Sequence, residues 1–209
     1  MSAVLRGFNP PSQAGVSPAG LKLHLGCGRT ILPGWVNVDL AKLPGVDVVA
    51  DLERCRTAPL PFADESVDEF LMSHVIEHVR DTLGLMQELH RIAKPGAKLV
   101  ARMPYGSSDD AWEDQTHVRA YFIQSWGYFS QPYYWRADYG FRGDWQPETL
   151  QLLVDKKEFE FAHPQAILRR VMSERNVVKE MVATLACVKP IREPKRDLQV
   201  LPKISFQLT

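Results

Sequence analysis

The stretch that decides the fold is Leu21-Lys-Leu-His-Leu-Gly-Cys-Gly28. Its alternating apolar residues predict a buried strand. The Gly-x-Gly at its end predicts close approach of the backbone to a ligand, because glycine places no side chain between them. A second apolar run, Val36–Asp39, ends in a carboxylate. This pairing suits a nucleoside, with glycines beside its tail and a carboxylate for its ribose hydroxyls, although a lone Gly-x-Gly also occurs in ordinary tight turns.

Further apolar runs follow at a spacing typical of parallel strands joined by crossovers. An apolar stripe of Leu83, Met86, Leu89 and Ile92 predicts a helix over Thr82–Ala93, with Asp81 as its N-cap. A second helix is predicted over Pro164–Ser173. The predicted strands are Lys22–Leu25, Val36–Asp39, Val46–Ala50, Glu69–Ser73, Leu99–Met103, Thr149–Val154 and Met181–Val188.

The ordered succession of motifs resembles the class I S-adenosylmethionine-dependent methyltransferases, in a type 11-like subgroup. That pattern is roughly LxLGCG, GWxNVD, DL, LPFxDxSxD, HxxEH, ExxRxxKPGG and DxTHxR, and it is matched in order from about Leu21 to Tyr128. Two positions depart from it, Ala97 at the last glycine of KPGG and Gln115 where proline is frequent. Neither is an expected cofactor contact.

The resemblance implies a Rossmann-like α/β fold, with a mostly parallel twisted sheet and helices on both faces. The interval from Gly28 to Val36 is too short for a full crossover helix, so a loop or a single turn is expected there. The expected domains are a flexible N-terminal arm (1–20), a methyltransferase domain (21–189) with an aromatic-rich cap insertion at about 105–147, and an extended C-terminal tail (190–209). The last strand of the domain is expected to be antiparallel.

The resemblance also implies the cofactor, S-adenosyl-L-methionine, and its contacts. It places Gly26 and Gly28 against the methionine half, Asp39 on the ribose hydroxyls, and Asp51 with the Leu52 amide at the adenine edge. A carboxylate can accept hydrogen bonds from the ribose hydroxyls or from the adenine amine, so these roles agree with its chemistry. Both carboxylates could instead be turn residues at strand ends. The full set of expected cofactor contacts is Leu25, Gly26, Cys27, Gly28, Asp39, Asp51, Leu52 and Ser73.

Three residues are candidates for catalysis: His74, Asp114 and His117. His74 follows the fourth strand, where open α/β sheets bind ligands. Neutral His117 could accept the proton released by a methylated hydroxyl or amine, or it could merely tie its loop to Asp114. His74-Val-Ile-Glu-His78 also spells the HxxEH zinc pattern. No third ligand stands out downstream, so no metal site is predicted, and Glu77 and His78 are interpreted as structural.

The segment from Trp112 to Trp145 holds 12 of the 20 aromatic residues of the chain. One interpretation is a satellite hydrophobic cluster or a homodimer contact. The other is a cap whose flat rings pack on a sugar or on a ring-bearing acceptor.

The composition of the chain disfavours several classes of protein. Lysine plus arginine equals aspartate plus glutamate, at 25 each, so no overall basic field favours nucleic acid. Three widely spaced cysteines suggest neither a disulfide framework nor a zinc ribbon, and no membrane span or signal peptide is evident, so a cytoplasmic location is expected.

The function predicted from the sequence is methyl transfer from S-adenosylmethionine to an oxygen or nitrogen of a small-molecule or glycan-type acceptor. A non-catalytic module that keeps the methyltransferase fold is the main alternative. A nicotinamide-dependent oxidoreductase has less support, because Ile31 occupies the third glycine position of GxGxxG.

Overall fold

The computed structural model describes residues 20–209. The N-terminal arm expected for residues 1–20 therefore lies outside the described residues, except for Gly20. Among the described residues, no helix is both long and apolar enough to cross a membrane.

The described part of the chain forms one eight-stranded sheet in the order β3-β2-β1-β4-β5-β7-β6-β8. Neighbouring strands are parallel from β3 to β5, and β7 is antiparallel to both β5 and β6. This confirms the mostly parallel sheet and the antiparallel β7. The strands are β1 (Leu21–Leu25), β2 (Val36–Asp39), β3 (Val48–Val49), β4 (Val67–Ser73), β5 (Ala93–Pro104), β6 (Trp145–Val154), β7 (Val178–Cys187) and β8 (Lys203–Leu208).

Within residues 20–209, four α-helices accompany the sheet: α1 (Thr82–Ile92), α2 (Asp110–Glu113), α3 (Lys156–Phe159) and α4 (Pro164–Ser173). The bounds of α4 agree with the prediction. Asp81 caps α1 as expected, because its side chain accepts a hydrogen bond from the Gly84 backbone N–H. The buried face of α1 includes Leu85, whereas Leu83 is only partly buried. No turn separates α1 from β5, since the strand begins at Ala93.

The first crossover is short, as predicted. Residues 26–35 between β1 and β2 form turns without a helix. Central β1 is buried on both faces, with Leu23 and Leu25 on one and His24 on the other. This double burial is typical of parallel sheets.

The C-terminal tail differs from the prediction. Residues 203–208, expected to lie in an extended tail outside the domain, form β8 and pair in parallel with β6. Ile204 and Phe206 alternate and pack partly buried against the core. The sheet thus extends beyond residue 189. The prolines of this segment suggested an arm, but they lie outside the strand itself and leave its N–H groups free to pair.

Candidate functional site

The candidate site lies at the carboxyl edge of the parallel strands. β1 pairs with β2 on one side and with β4 on the other, both in parallel. The loops after Leu25, Asp39 and Ser73 therefore open at the same edge, which is where open α/β sheets bind ligands.

Gly26 and Gly28 both have positive φ, +62° and +52°. A Cβ on Gly26 would lie 2.5 Å from Val75 Cγ2, so packing against the loop after β4 requires glycine there. A Cβ on Gly28 would meet nothing within 4 Å. Gly28 is thus favoured by its backbone conformation and leaves open space beside the loop.

Asp39 joins the glycine loop to β2. Its Oδ2 accepts from the Gly28 N–H at 2.7 Å, and its Oδ1 accepts from the Ala41 N–H at 2.8 Å. The side chain is half-buried, and each carboxylate oxygen can accept a further hydrogen bond. Asp39 is therefore a turn carboxylate that retains acceptor capacity for hydroxyl groups.

The other expected cofactor residues lie along the same edge. Asp51 caps a 3-10 turn over Leu52–Arg54 by accepting from the Glu53 N–H at 3.0 Å. Cys27 is buried, and this burial, followed by the charge of Asp39, raises the pKa of its thiol. A thiol kept neutral in this way is a poor nucleophile.

His74 adopts φ +55°, a rare backbone conformation for a non-glycine residue. Its Nε2 lies 2.9 Å from Glu180 Oε1, and its Nδ1 lies 3.5 Å from Glu77 Oε1. The carboxylates of Glu77 and Glu180 raise the pKa of His74, against the opposing effect of partial burial. Sequence reasoning missed Glu180, because it comes from β7, far away along the chain, and no local motif marks it.

His117 is held by its loop rather than by Asp114. Its Nδ1 lies 3.2 Å from the Ala111 carbonyl oxygen, whereas its Nε2 is 3.8 Å from Asp114 Oδ2. Asp114 instead accepts from both the backbone N–H and the hydroxyl of Thr116, and these bonds lower the pKa of Asp114.

The HxxEH segment is not the helix that a zinc-protease pattern needs. Only Ile76–His78 forms a short 3-10 turn, and His74 is directed to Glu180. His78 instead contacts His117, with ring centroids 4.7 Å apart. His78 and His117, rather than His74 and His78, form the histidine pair of this region.

The aromatic segment divides into two parts. Tyr121, Trp126, Phe129, Tyr134 and Phe141 are buried in the main core cluster rather than in a separate satellite cluster. Other rings remain exposed and line a groove of about 430 Å³ that also contains Arg119. The exposed rings of this groove are Phe122, Tyr128 and Tyr139.

The fold and this edge of the sheet define a class I, Rossmann-like methyltransferase architecture. Residues 23–101 match the methyltransferase domain family. This part of the chain, which carries the glycine loop and Asp39, is therefore similar to methyltransferase domains.

Several solved structures share the fold of this chain. A SAM-dependent methyltransferase from Archaeoglobus fulgidus is 15% identical with a TM-score of 0.55, and the alignment covers 81% of this chain and 86% of that one. A possible histamine N-methyltransferase from Thermotoga maritima is 21% identical with a TM-score of 0.50, and the alignment covers 83% of this chain and 84% of that one. A Haloferax volcanii complex of the Trm112 activator with a putative methyltransferase is 15% identical with a TM-score of 0.50, and the alignment covers 82% of this chain and 85% of that one. No curated protein matches the sequence.

Proposed function

We propose that the protein transfers a methyl group from S-adenosylmethionine to an oxygen or nitrogen of a small-molecule or glycan-type acceptor. The observation that carries the proposal is the convergence of Gly26, Gly28 and Asp39 at the carboxyl edge of the sheet, with open space beside Gly28. A sulfonium donor is already activated, so the protein needs chiefly to align the acceptor and exclude water. The proposed cofactor contacts remain Leu25, Gly26, Cys27, Gly28, Asp39, Asp51, Leu52 and Ser73.

The aromatic groove supports an acceptor with a flat or ring-shaped body. Exposed rings such as Tyr128 and Tyr139 can pack on a sugar or an aromatic ring, and Arg119 offers one cation to an anionic substituent. His74, Asp114 and His117 are the proposed catalytic residues, with neutral His117 accepting the proton from the acceptor. The three buried, unpaired cysteines agree with a reducing, cytoplasmic setting.

The first test is isothermal titration with S-adenosylmethionine and S-adenosylhomocysteine. We expect saturable binding by the unaltered protein and a loss of about tenfold or more in Asp39→Ala, since a hydrogen bond to a charged group contributes about 1.5–3 kcal/mol. His117→Ala should keep its cofactor affinity.

Asp47→Ala is the matched control, because Asp47 accepts from the Asn37 N–H in the same part of the sheet. If Asp47→Ala lost affinity as strongly as Asp39→Ala, local unfolding rather than a ribose contact would explain the loss. Absence of binding to either ligand would contradict the proposal.

The second candidate is a module that binds the cofactor without transferring its methyl group. The observation that favours it is the helix-free loop of residues 26–35, which leaves the site open on that side. An acceptor screen with labelled methyl donor separates the two. Incorporation that slows in His117→Ala supports the enzyme, whereas tight cofactor binding without any incorporation supports the module.

A further inference from the structure

Glu77 is a buried carboxylate without a hydrogen-bond partner. The residue is 2% exposed, and neither carboxylate oxygen makes a hydrogen bond. Its nearest basic group is His74 Nδ1, 3.5 Å from Oε1, at the outer limit of an ion pair. Burying an ionised carboxylate costs free energy unless a cation or hydrogen-bond donors offset the loss of water. A bound cation would therefore stabilise Glu77.

Two imidazoles accompany it. Ligand atoms of Glu77, His78 and His117 all lie within 4.8 Å of one another. Three ligands bound to one ion at about 2.0–2.2 Å in a tetrahedral arrangement lie about 3.3–3.6 Å apart, so the three side chains would have to close by about 1 Å around a metal.

The hydrogen bonds of His78 leave its Nε2 free as a ligand. Thr116 Oγ1 donates its single hydrogen to Asp114 Oδ1 at 2.6 Å, so towards His78 Nδ1, at 2.9 Å, it acts as an acceptor. The Nδ1 of His78 therefore carries the proton, and the lone pair of neutral imidazole lies on Nε2.

His117 is oriented in the same way. The Ala111 carbonyl oxygen can only accept, so His117 Nδ1 is the protonated nitrogen and Nε2 bears the lone pair. Metal-bound histidines commonly donate their second N–H to a carbonyl or to a carboxylate-linked group, which fixes the tautomer and the orientation of the ring. Both histidines have this arrangement before any ion binds.

We propose that Glu77, His78 and His117 bind a divalent first-row transition metal ion. Two imidazoles and one carboxylate form a ligand set that suits zinc and its neighbours, and it leaves coordination positions open to oxygen atoms. One part of this proposal rests on the proposed function: that an oxygen of the methyl acceptor occupies an open coordination position of the ion. The Nε2 of His117 is free to accept a proton, as in the proposed function, only while no ion is bound to it.

The test is titration of the full chain, free of any histidine tag, with Zn²⁺ by calorimetry and with Co²⁺ by visible absorption. We expect one ion per chain and a Co²⁺ spectrum of a nitrogen- and oxygen-ligated site. His117→Ala and Glu77→Gln should abolish binding, and the Glu77→Gln change preserves side-chain shape. Thr116→Val, which removes the hydroxyl partner of His78 Nδ1 together with the bond of that hydroxyl to Asp114, should weaken binding by about tenfold or more.

His163→Ala is the matched control, since His163 is exposed at the start of α4 and should not affect binding. Circular dichroism checks that each variant is folded. No saturable uptake of either ion, or uptake that survives in both His117→Ala and Glu77→Gln, would overturn the proposal. Because cofactor titration is a separate measurement, failure here leaves the proposed methyltransferase function standing.

Discussion

At the scale of single residues, three glycines with positive φ differ in what an added side chain would meet. Gly26, Gly28 and Gly34 have φ of +62°, +52° and +78°. An added Cβ clashes with Val75 only at Gly26, whereas at Gly28 and Gly34 it meets nothing within 4 Å. The same substitution at these positions therefore has different consequences.

Gly34→Ala should cost about 1–2 kcal/mol of stability from backbone strain alone. Gly26→Ala should cost more, because the methyl group also displaces Val75. Gly28→Ala should cost about as much stability as Gly34→Ala but should additionally weaken S-adenosylmethionine binding, since its methyl group points into the space proposed for the cofactor.

Urea denaturation and calorimetric titration of the three variants measure these two effects. Equal cofactor affinity in Gly28→Ala and Gly34→Ala, both folded, would remove Gly28 from the proposed site.

At the scale of elements, helix α1 depends on its N-cap. Asp81 Oδ1 accepts from the Gly84 N–H at 2.9 Å, and Arg56 binds the same carboxylate through its Nε at 2.7 Å. The hydrogen bond from Arg56 is the main cause that lowers the pKa of Asp81, and the Gly84 N–H adds to it. The capping contribution is therefore complete above the ordinary carboxyl pKa and is lost as pH falls through the lowered value.

Asp81→Ala should destabilise the protein by about 1 kcal/mol at neutral pH, the usual cost of an N-cap. Asp81→Asn keeps an acceptor for the Gly84 N–H and should retain most of that stability. Urea denaturation from pH 7 down to pH 3 should show a shallower acid loss in both variants than in the unaltered protein. An unchanged pH slope in Asp81→Asn would show that the charge of Asp81 plays no part.

At the scale of the whole molecule, the C-terminal segment is fixed by a buried ion pair. Asp144 is fully buried before β6, and the Arg192 guanidinium donates to both of its oxygens at 2.7 Å. Arg192 also donates to Ser130 Oγ at 3.0 Å. One residue of the tail thereby contacts both the aromatic segment, at Ser130, and the start of β6, at Asp144.

Arg192→Met should destabilise the protein by about 3–5 kcal/mol, because it leaves the Asp144 carboxylate buried without its cation. Arg142→Met is the matched control, since Arg142 and Asp138 form an exposed pair whose loss should barely change the stability. Urea denaturation measures both. Equal, small losses in the two variants would show that Arg192 does not hold the tail.

The sequence by itself determined the parallel strands, the glycine loop, helices α1 and α4, the Asp81 cap and the short first crossover. Each of these depends on residues close together in the chain, through alternation of apolar side chains, capping chemistry or loop length. The ordered motifs added the resemblance to methyltransferases, because each motif is a short segment that can be recognised without knowledge of the fold.

Only the tertiary structure decided the contacts between distant segments. These are His74 with Glu180, Glu77 and His78 with His117, Arg192 with Asp144, and the pairing of β8 with β6. The HxxEH spacing would bring His74 and His78 to one face only in a helix, and the structure has a 3-10 turn over Ile76–His78 instead. Local pattern does not encode which remote side chain fills a space, since that depends on the packing of the whole sheet.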